Sequence, residues 1–556
     1  MLPHPALALL ASAAIVVALI PLVYLAVRVA GAGWQRIVDE IFTARTAVLA
    51  GRSIGLAAVV TLACVVLGVG SAFLVTRTDL PGRRVFGVLA ALPLAIPTYV
   101  AGFAWVSTVD NFAGFWDAAL VLVLCSYPYV YLPTAAALTG ADPAQEEVAR
   151  SLGDGPWRAF MRTTLRQIRP AVVAGGLLVA LYVLSDFGAV SIVRVDVFTR
   201  AIFTSINLGF DKTGALVLAT VLVALTAAVL VGEVLTRQRG ARYARLSGAG
   251  RPPARIGLGR LRWPAAGLIA AVAALALGVP AMSLLRWVAA GVSRPGSLAE
   301  VAVAAGNTLW VSALGALLTL LLALPVGLLL ARAPGPLATV VDRLAYLPHA
   351  LPGLVIGLSL VSFGTTVAFA LYQTVWLLVL AYSTLFLPLA VGAVGAAAAQ
   401  APPALEEVAK SLGRGPMYVL RTITLRLTAP GLGAGAALVF LTCVKELPAT
   451  LLLRPTNMDT LATELWTHTS FGAYAAAAPY ALLLVLVAAV PTWWLSTRTG
   501  VSTRARLPIT TGVAAGVPVE ASAGTDLSTT AGIASAEIAS AGMVTPGTST
   551  GAGTRG

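Results

Sequence analysis

Histidine, cysteine and lysine are almost missing from this chain, with three of each among 556 residues. A phosphate-binding loop needs a lysine directly after a glycine, so that the ammonium reaches the phosphates cradled by the backbone. Lys212, Lys410 and Lys445 follow Asp, Ala and Val, so no such loop is present and ATP hydrolysis is expected on another chain. Cys64, Cys125 and Cys443 are scattered, odd in number and sunk in apolar runs, which argues against a disulfide framework and for small buried side chains. His349 and His468 lack a second histidine or carboxylate at ligand spacing, so neither points to a metal. No constellation of catalytic carboxylates or histidines appears, and neither an enzyme activity nor a cofactor is expected.

Charge is scarce as well. Only 11% of residues are charged and 58% are hydrophobic, with a mean hydropathy of +0.89. A soluble domain carries about 25% charged residues, so this composition cannot build a soluble surface. Apolar runs of bilayer length recur instead, which predicts an all-α polytopic membrane protein. The net charge of +14 does not point to nucleic acid, because the arginines sit in short segments between apolar runs, such as Arg150, Arg158, Arg162, Arg166 and Arg169. Basic residues confined to alternate loops mark the cytoplasmic side. The first run, Ala6 to Val27, is long for a signal peptide and lacks a basic start, so a retained helix is expected.

The runs predict twelve transmembrane helices, over 6–28, 54–76, 85–107, 117–139, 171–193 and 214–236, then 264–289, 307–331, 345–370, 374–398, 431–454 and 474–497. With the arginine-rich loops inside, both termini are cytoplasmic, and the segments 108–116, 194–213 and 455–473 are outward loops. The chain thus divides into a six-helix half at 1–236, a basic linker at 237–262, a second half at 263–500 and a tail at 501–556. The tail is mostly Ala, Gly, Ser, Thr and Val, too little apolar bulk to offset ordering entropy, and is expected to be disordered.

The halves repeat each other. Glu146-Glu147-Val148-Ala149-Arg150-Ser151-Leu152-Gly153-Asp154-Gly155-Pro156 returns 260 residues later as Glu406-Glu407-Val408-Ala409-Lys410-Ser411-Leu412-Gly413-Arg414-Gly415-Pro416. Thr164-Leu165-Arg166 and Pro170 recur at the same shift, and Asp186 corresponds to Glu446. Upstream, Leu92-Pro93 and Pro97 recur as Leu347-Pro348 and Pro352, a shift of 255. The proline pairs should kink or break their helices. Two six-helix repeats in the same orientation imply a parallel pseudo-two-fold axis along the membrane normal.

The repeated segment has the features of a helical elbow. Asp142 can cap a helix, Pro143 suits its first position, and Glu146 and Glu147 complement the positive end of its dipole. Val148 and Leu152 share one face, Gly153 can end the helix in the left-handed region, and Pro156 can begin the next one. A single amphipathic elbow could be a plain connector at the membrane surface. Two near-identical copies at equivalent positions favour a surface kept for a partner.

Each elbow resembles the EAA loop of ABC-importer permeases, within 142–170 and 402–430. Glu147, Ala149 and Gly153, and Glu407, Ala409 and Gly413, occupy the pattern's positions, while Val148 and Val408 replace its middle alanine. The later proline of the pattern falls on Arg166 and Arg426, with Pro170 and Pro430 four residues beyond. The fused six-plus-six layout over about the first 500 residues is similar to the ferric-iron and thiamine permease branch. The resemblance implies a translocation subunit of a bacterial plasma-membrane importer that works with two copies of a cytoplasmic ABC ATPase and an extracytoplasmic substrate-binding protein. Glu147, Ala149, Leu152 and Gly153, with Glu407, Ala409, Leu412 and Gly413, would dock the ATPase. Ferric iron is the cargo that branch implies first, then thiamine or polyamines. A proton-coupled carrier would also suit twelve helices, but such carriers place ionisable residues at the midplane, where this chain has few. Asp186 and the Lys445-Glu446 pair are open to two readings: interfacial anchors paired with Arg194 and Arg454, or an outer gate.

Overall fold

The computed structural model describes residues 4–498 apart from 142, 208, 210, 241–254 and 292–297. Asp142, the middle of the linker, the side chain of His349 and the whole tail at 501–556 therefore lie outside the described residues.

The first half runs α1 (His4–Ala30), α2 (Trp34–Ile41), α3 (Ala44–Arg77), α4 (Arg83–Ala91), α5 (Thr98–Val106), α6 (Phe115–Ser126), α7 (Pro128–Gly140), α8 (Pro143–Ser151), α9 (Pro156–Ala159), α10 (Leu165–Ser185), α11 (Gly188–Ile192), α12 (Phe198–Asn207) and α13 (Lys212–Gly240). The second runs α14 (Arg262–Ala273), α15 (Val279–Ala290), α16 (Leu298–Arg332), α17 (Pro336–Tyr346), α18 (Gly353–Thr366), α19 (Val375–Gln400), α20 (Pro403–Ser411), α21 (Pro416–Val419), α22 (Leu425–Val444), α23 (Pro448–Leu453), α24 (Leu461–Ser470) and α25 (Tyr474–Arg498). Among the described residues the fold is helical, and the one extended pairing is an isolated bridge between Thr78 and Ile256.

Among the described residues nine stretches are long and apolar enough to cross a bilayer, and the pair α4–α5 makes a tenth, bent by 92° at its break. The two remaining expected positions hold shorter apolar helices, α18 and Tyr474–Ala488 of α25. The expected spans at 85–107 and 345–370 are broken rather than merely kinked, the stronger of the two outcomes expected of the proline pairs. Their 3-10 turns, Leu92–Ala95 and Leu347–Ala350, each contain one proline of the repeated pair. Pro97 and Pro352 then start the next helices from an extended conformation, with ψ of 142° and 144°. A proline has no N–H to donate and pushes its predecessor out of the helical region, so a pair of them ends one helix and starts another.

Two more expectations change. Spans 171–193 and 431–454 are not continuous, because α10 stops at Ser185 and α22 at Val444 before the short helices α11 and α23. The expected outward loops at 194–213 and 455–473 contain α12 and α24. Both helices are ten residues long and carry polar side chains, too short and mixed to register as apolar runs.

The halves exchange their first membrane helices. α1 packs on α16 and α18 of the second half, while α15 packs on α5 of the first as well as on α25. Tyr24 meets Phe363 edge-on at 5.7 Å, Ser107 Oγ lies 2.9 Å from Ser283 Oγ, and the Arg286 guanidinium donates to the Ser107 carbonyl at 2.6 Å. One continuous apolar core, which includes Cys64, Cys125 and Cys443, runs through both halves. The described end of the linker is also fastened: Ile256 N donates to the Arg77 carbonyl at 2.8 Å, and Leu258 N donates to Asp79 Oδ1 at 2.8 Å.

Candidate functional site

The repeated elbows fold as two copies of one device. α8 ends with Asp154 N donating to the Ala149 carbonyl at 3.1 Å and Gly153 N to the Arg150 carbonyl at 3.0 Å. α20 ends with the equivalent pair, Arg414 N to Ala409 and Gly413 N to Lys410, at 3.1 and 2.9 Å. This two-bond closure needs a left-handed residue, and Gly153 and Gly413 have φ of +95° and +75°. Valine at either glycine would be strained by about 1–2 kcal/mol. Gly153→Val with Gly413→Val is therefore expected to lower uptake severalfold at unchanged membrane level, read by transport assay and immunoblot.

What each elbow presents is apolar at its end. Leu152 and Leu412 are 82% and 73% exposed, and Val148 and Val408 are more than half exposed one turn earlier. Glu147 and Glu407 are exposed beside them, whereas Ala149 is half-buried and Ala409 buried against the elbow's own base. Solvated leucines on an ordered helix end are a knob without a socket.

The neighbouring glutamates do the opposite. Glu146 is buried and pairs with Arg77, the last residue of α3, and also accepts the Thr164 hydroxyl at 2.9 Å. Glu406 is buried and pairs with Arg332, the last residue of α16, at 3.1 Å, and accepts the Thr424 hydroxyl at 3.0 Å. Arg332 also donates to the Ala401 carbonyl at 2.8 Å. Thr164 and Thr424 each close a five-residue π-helical turn, Phe160–Thr164 and Leu420–Thr424, an irregularity that recurs at functional positions. Each elbow is thereby riveted to the end of a long membrane helix and to the base of the helix that follows it. Sequence reasoning passed over Arg77 and Arg332, and read Glu146 only as a complement to the helix dipole, with Glu406 as its repeat. Their signal was repetition, since the arginines recur at the shift of 255 and the glutamates and threonines at 260.

Between the halves lies a cavity of about 230 Å³. The breaks after α10 and α22 and the turn before α5 converge on it. Asp186 does not pair with Arg194. Its Oδ1 accepts Ala189 N at 3.0 Å and Val190 N at 3.3 Å, and its Oδ2 accepts the Thr98 hydroxyl at 2.5 Å. Glu446 likewise accepts Ala449 N and Thr450 N, both at 2.9 Å, and the Thr450 hydroxyl at 2.6 Å. Arg454 pairs instead with Asp459. The interfacial-anchor reading is corrected: both acids cap the short helices α11 and α23 at the cavity wall, satisfying N–H groups that have no helical partner. The repeats compensate in length. A Cβ on Gly353 would sit 2.9 Å from Glu446 Oε1, so the longer acid faces a glycine where the shorter one faces Thr98.

Beside the cavity the halves meet through aromatics. Phe187 lies 5.0 Å from Trp466, and Phe203 meets Trp466 edge-on at 5.9 Å. His468, in α24, bonds to Glu464 at 3.2 Å and stacks on Tyr480. Burial, partly opposed by the charge of Glu300, lowers its pKa below the ordinary value, so near pH 7 the imidazole is mainly neutral. Among the described residues no three His, Cys, Asp or Glu side chains gather as a metal site.

Comparison with known proteins agrees with this arrangement. Residues 64–294 and 323–496 both match the family described as binding-protein-dependent transport system inner membrane component. The chain is 39% identical over 480 residues to the Fe(3+)-transport system permease protein FbpB 2 of Haemophilus influenzae, covering 86% of this chain and 95% of that one. It is 31% identical over 185 residues to the sulfate transport system permease protein CysT of Escherichia coli, covering 30% of this chain and 67% of the relative. The molybdenum transport system permease protein ModB of Escherichia coli is 29% identical over 193 residues, 31% of this chain and 84% of its own length. With the family's domain present twice in an all-α polytopic fold, the chain belongs to the binding-protein-dependent inner-membrane permeases of ABC importers.

Proposed function

We propose that this permease carries ferric iron, moving it by alternating access as two copies of a separate cytoplasmic ATPase open and close. The observation that carries the ATPase assignment is the pair of exposed knobs, Leu152 with Val148 and Leu412 with Val408, on elbows riveted to membrane helices. ATP-driven approach of the two ATPase subunits draws the elbows together. The Arg77–Glu146 and Arg332–Glu406 pairs pass that movement to α3 and α16, and the bundle tilts around the cavity. Both termini and both elbows lie on the cytoplasmic side, and an extracytoplasmic binding protein loads the opposite face. Asp186 and Glu446 hold the outer gate in shape, with the Phe187–Trp466 contact closing it.

Ferric iron is favoured by the relative that matches nearly end to end, an Fe(3+) permease. The sulfate and molybdenum permeases match less than a third of this chain each, and they favour a small oxyanion as the second reading. Affinity purification of the tagged permease from its native membranes should recover one ABC ATPase and one extracytoplasmic binding protein, the latter retaining iron. Recovery of neither, with uptake that survives ATP depletion and collapses with the proton gradient, would replace the importer by a carrier.

A further inference from the structure

At the cavity the pseudo-symmetry of the halves is broken in charge at one pair of equivalent lining positions. Ser185 in the first half corresponds to Lys445 in the second, and both line the cavity. Lys445 carries the only ammonium or guanidinium among the lining residues. The one hydrogen-bond partner of the ammonium among the described residues is the Leu94 carbonyl, at 3.5 Å, the outer limit of such a bond, while the Lys445 carbonyl accepts the Tyr99 hydroxyl at 3.3 Å. An ammonium offers three donors, so at least two have no protein partner among the described residues. No carboxylate lies in ion-pair range of it among the described residues, although Glu446 is its neighbour in sequence. The acids of the cavity are already engaged, because the oxygens of Asp186 and Glu446 bond to the amides and hydroxyls of the helices they cap. A half-buried ammonium with no counter-ion among the described residues is costly, and such groups mark ligand paths.

We infer that the cavity receives its cargo as an anion, with Lys445 as the residue that selects it. This rests on the permease reading and refines it: ferric iron passes here still enclosed by anionic oxygen ligands, not as the bare cation. A bare trivalent ion would meet a fixed positive charge and two carboxylates that cannot turn towards it without uncapping α11 and α23. An oxygen-wrapped complex of net negative charge meets free N–H donors from Lys445.

The test uses the whole permease with its ATPase and binding protein in proteoliposomes, and three radiolabelled probes: ferric citrate, molybdate and spermidine. Uptake of ferric citrate is expected to fall at least tenfold in Lys445→Met and Lys445→Glu and to stay within about threefold of the parent in Lys445→Arg, with the ATPase still bound in every variant. Molybdate uptake in place of ferric citrate, with the same variant pattern, would identify a free oxyanion as the anionic cargo. Normal transport by Lys445→Met, or faster uptake of iron or spermidine by Lys445→Glu, overturns the inference and leaves the permease reading standing. Loss of the ATPase from the parent complex would instead count against the permease reading. A readout that needs no variant is acylation of the three lysines followed by mass spectrometry. Saturating ferric citrate or molybdate should protect Lys445 at least fivefold relative to Lys212 and Lys410; equal modification with both anions refutes it.

Discussion

Reversing the charge on both elbows, Glu147→Arg together with Glu407→Arg, is expected to reduce ATP-driven uptake to background while the protein reaches the membrane at its normal level. Both side chains are exposed and have no ion-pair partner among the described residues, so the bundle loses no internal contact. A docked charge that turns repulsive costs about 2 kcal/mol at each elbow. Because one ATPase dimer engages both, the combined loss of about 4 kcal/mol weakens its hold roughly 1,000-fold. Leu152→Asp with Leu412→Asp should act in the same way by placing a charge where the exposed apolar knob enters its socket. Uptake within twofold of the parent by either double variant, at equal membrane abundance, would remove the elbows from coupling.

The buried glutamates next door should give a different failure. In Glu146→Gln with Glu406→Gln, the amide can still bond to Thr164 and Thr424, but Arg77 and Arg332 keep uncompensated charges at 2% and 6% side-chain exposure. Removing one partner of such a pair costs about 3–5 kcal/mol. The exposed face with Glu147 and Leu152 is untouched, so the ATPase should still co-purify and hydrolyse ATP, while uptake falls at least tenfold. That separation of ATP turnover from transport is the signature of a broken linkage. If the ATPase were lost together with uptake, the ion pairs would serve only to fold the elbow. Replacing both members by leucine, Arg77→Leu with Glu146→Leu, should restore thermal stability in detergent, because an apolar pair avoids the desolvation of two charges.

The chemistry of the chain was legible without coordinates wherever it depended on neighbours in sequence. Apolar runs of bilayer length, the shortage of charge and the doubled elbow need only local reading, since a span is set by consecutive side chains and a helix end by a glycine a few residues on. The proline pairs likewise announced breaks at Pro93/Pro97 and Pro348/Pro352, because the effect of proline is confined to its own turn. Asp186 and Glu446 were placed correctly along the chain, but their partners were misjudged. Arg194 and Arg454, each eight residues on, are the partners a local reading suggests, whereas the actual partners are amides exposed by a break in the helix and, for Asp186, a threonine 88 residues away.

From sequence alone came the class of protein, its division into two repeated halves and the position of both elbows, all of them carried by periodicity and repetition. Only the tertiary structure decided which of two adjacent glutamates faces out and which is clamped, that each half lends its first helix to the other, and that Lys445 has no counter-ion among the described residues at the seam. Those facts depend on residues between about 70 and 350 positions apart, brought together by packing, and no local pattern records which of many chemically equal partners will be the one that closes.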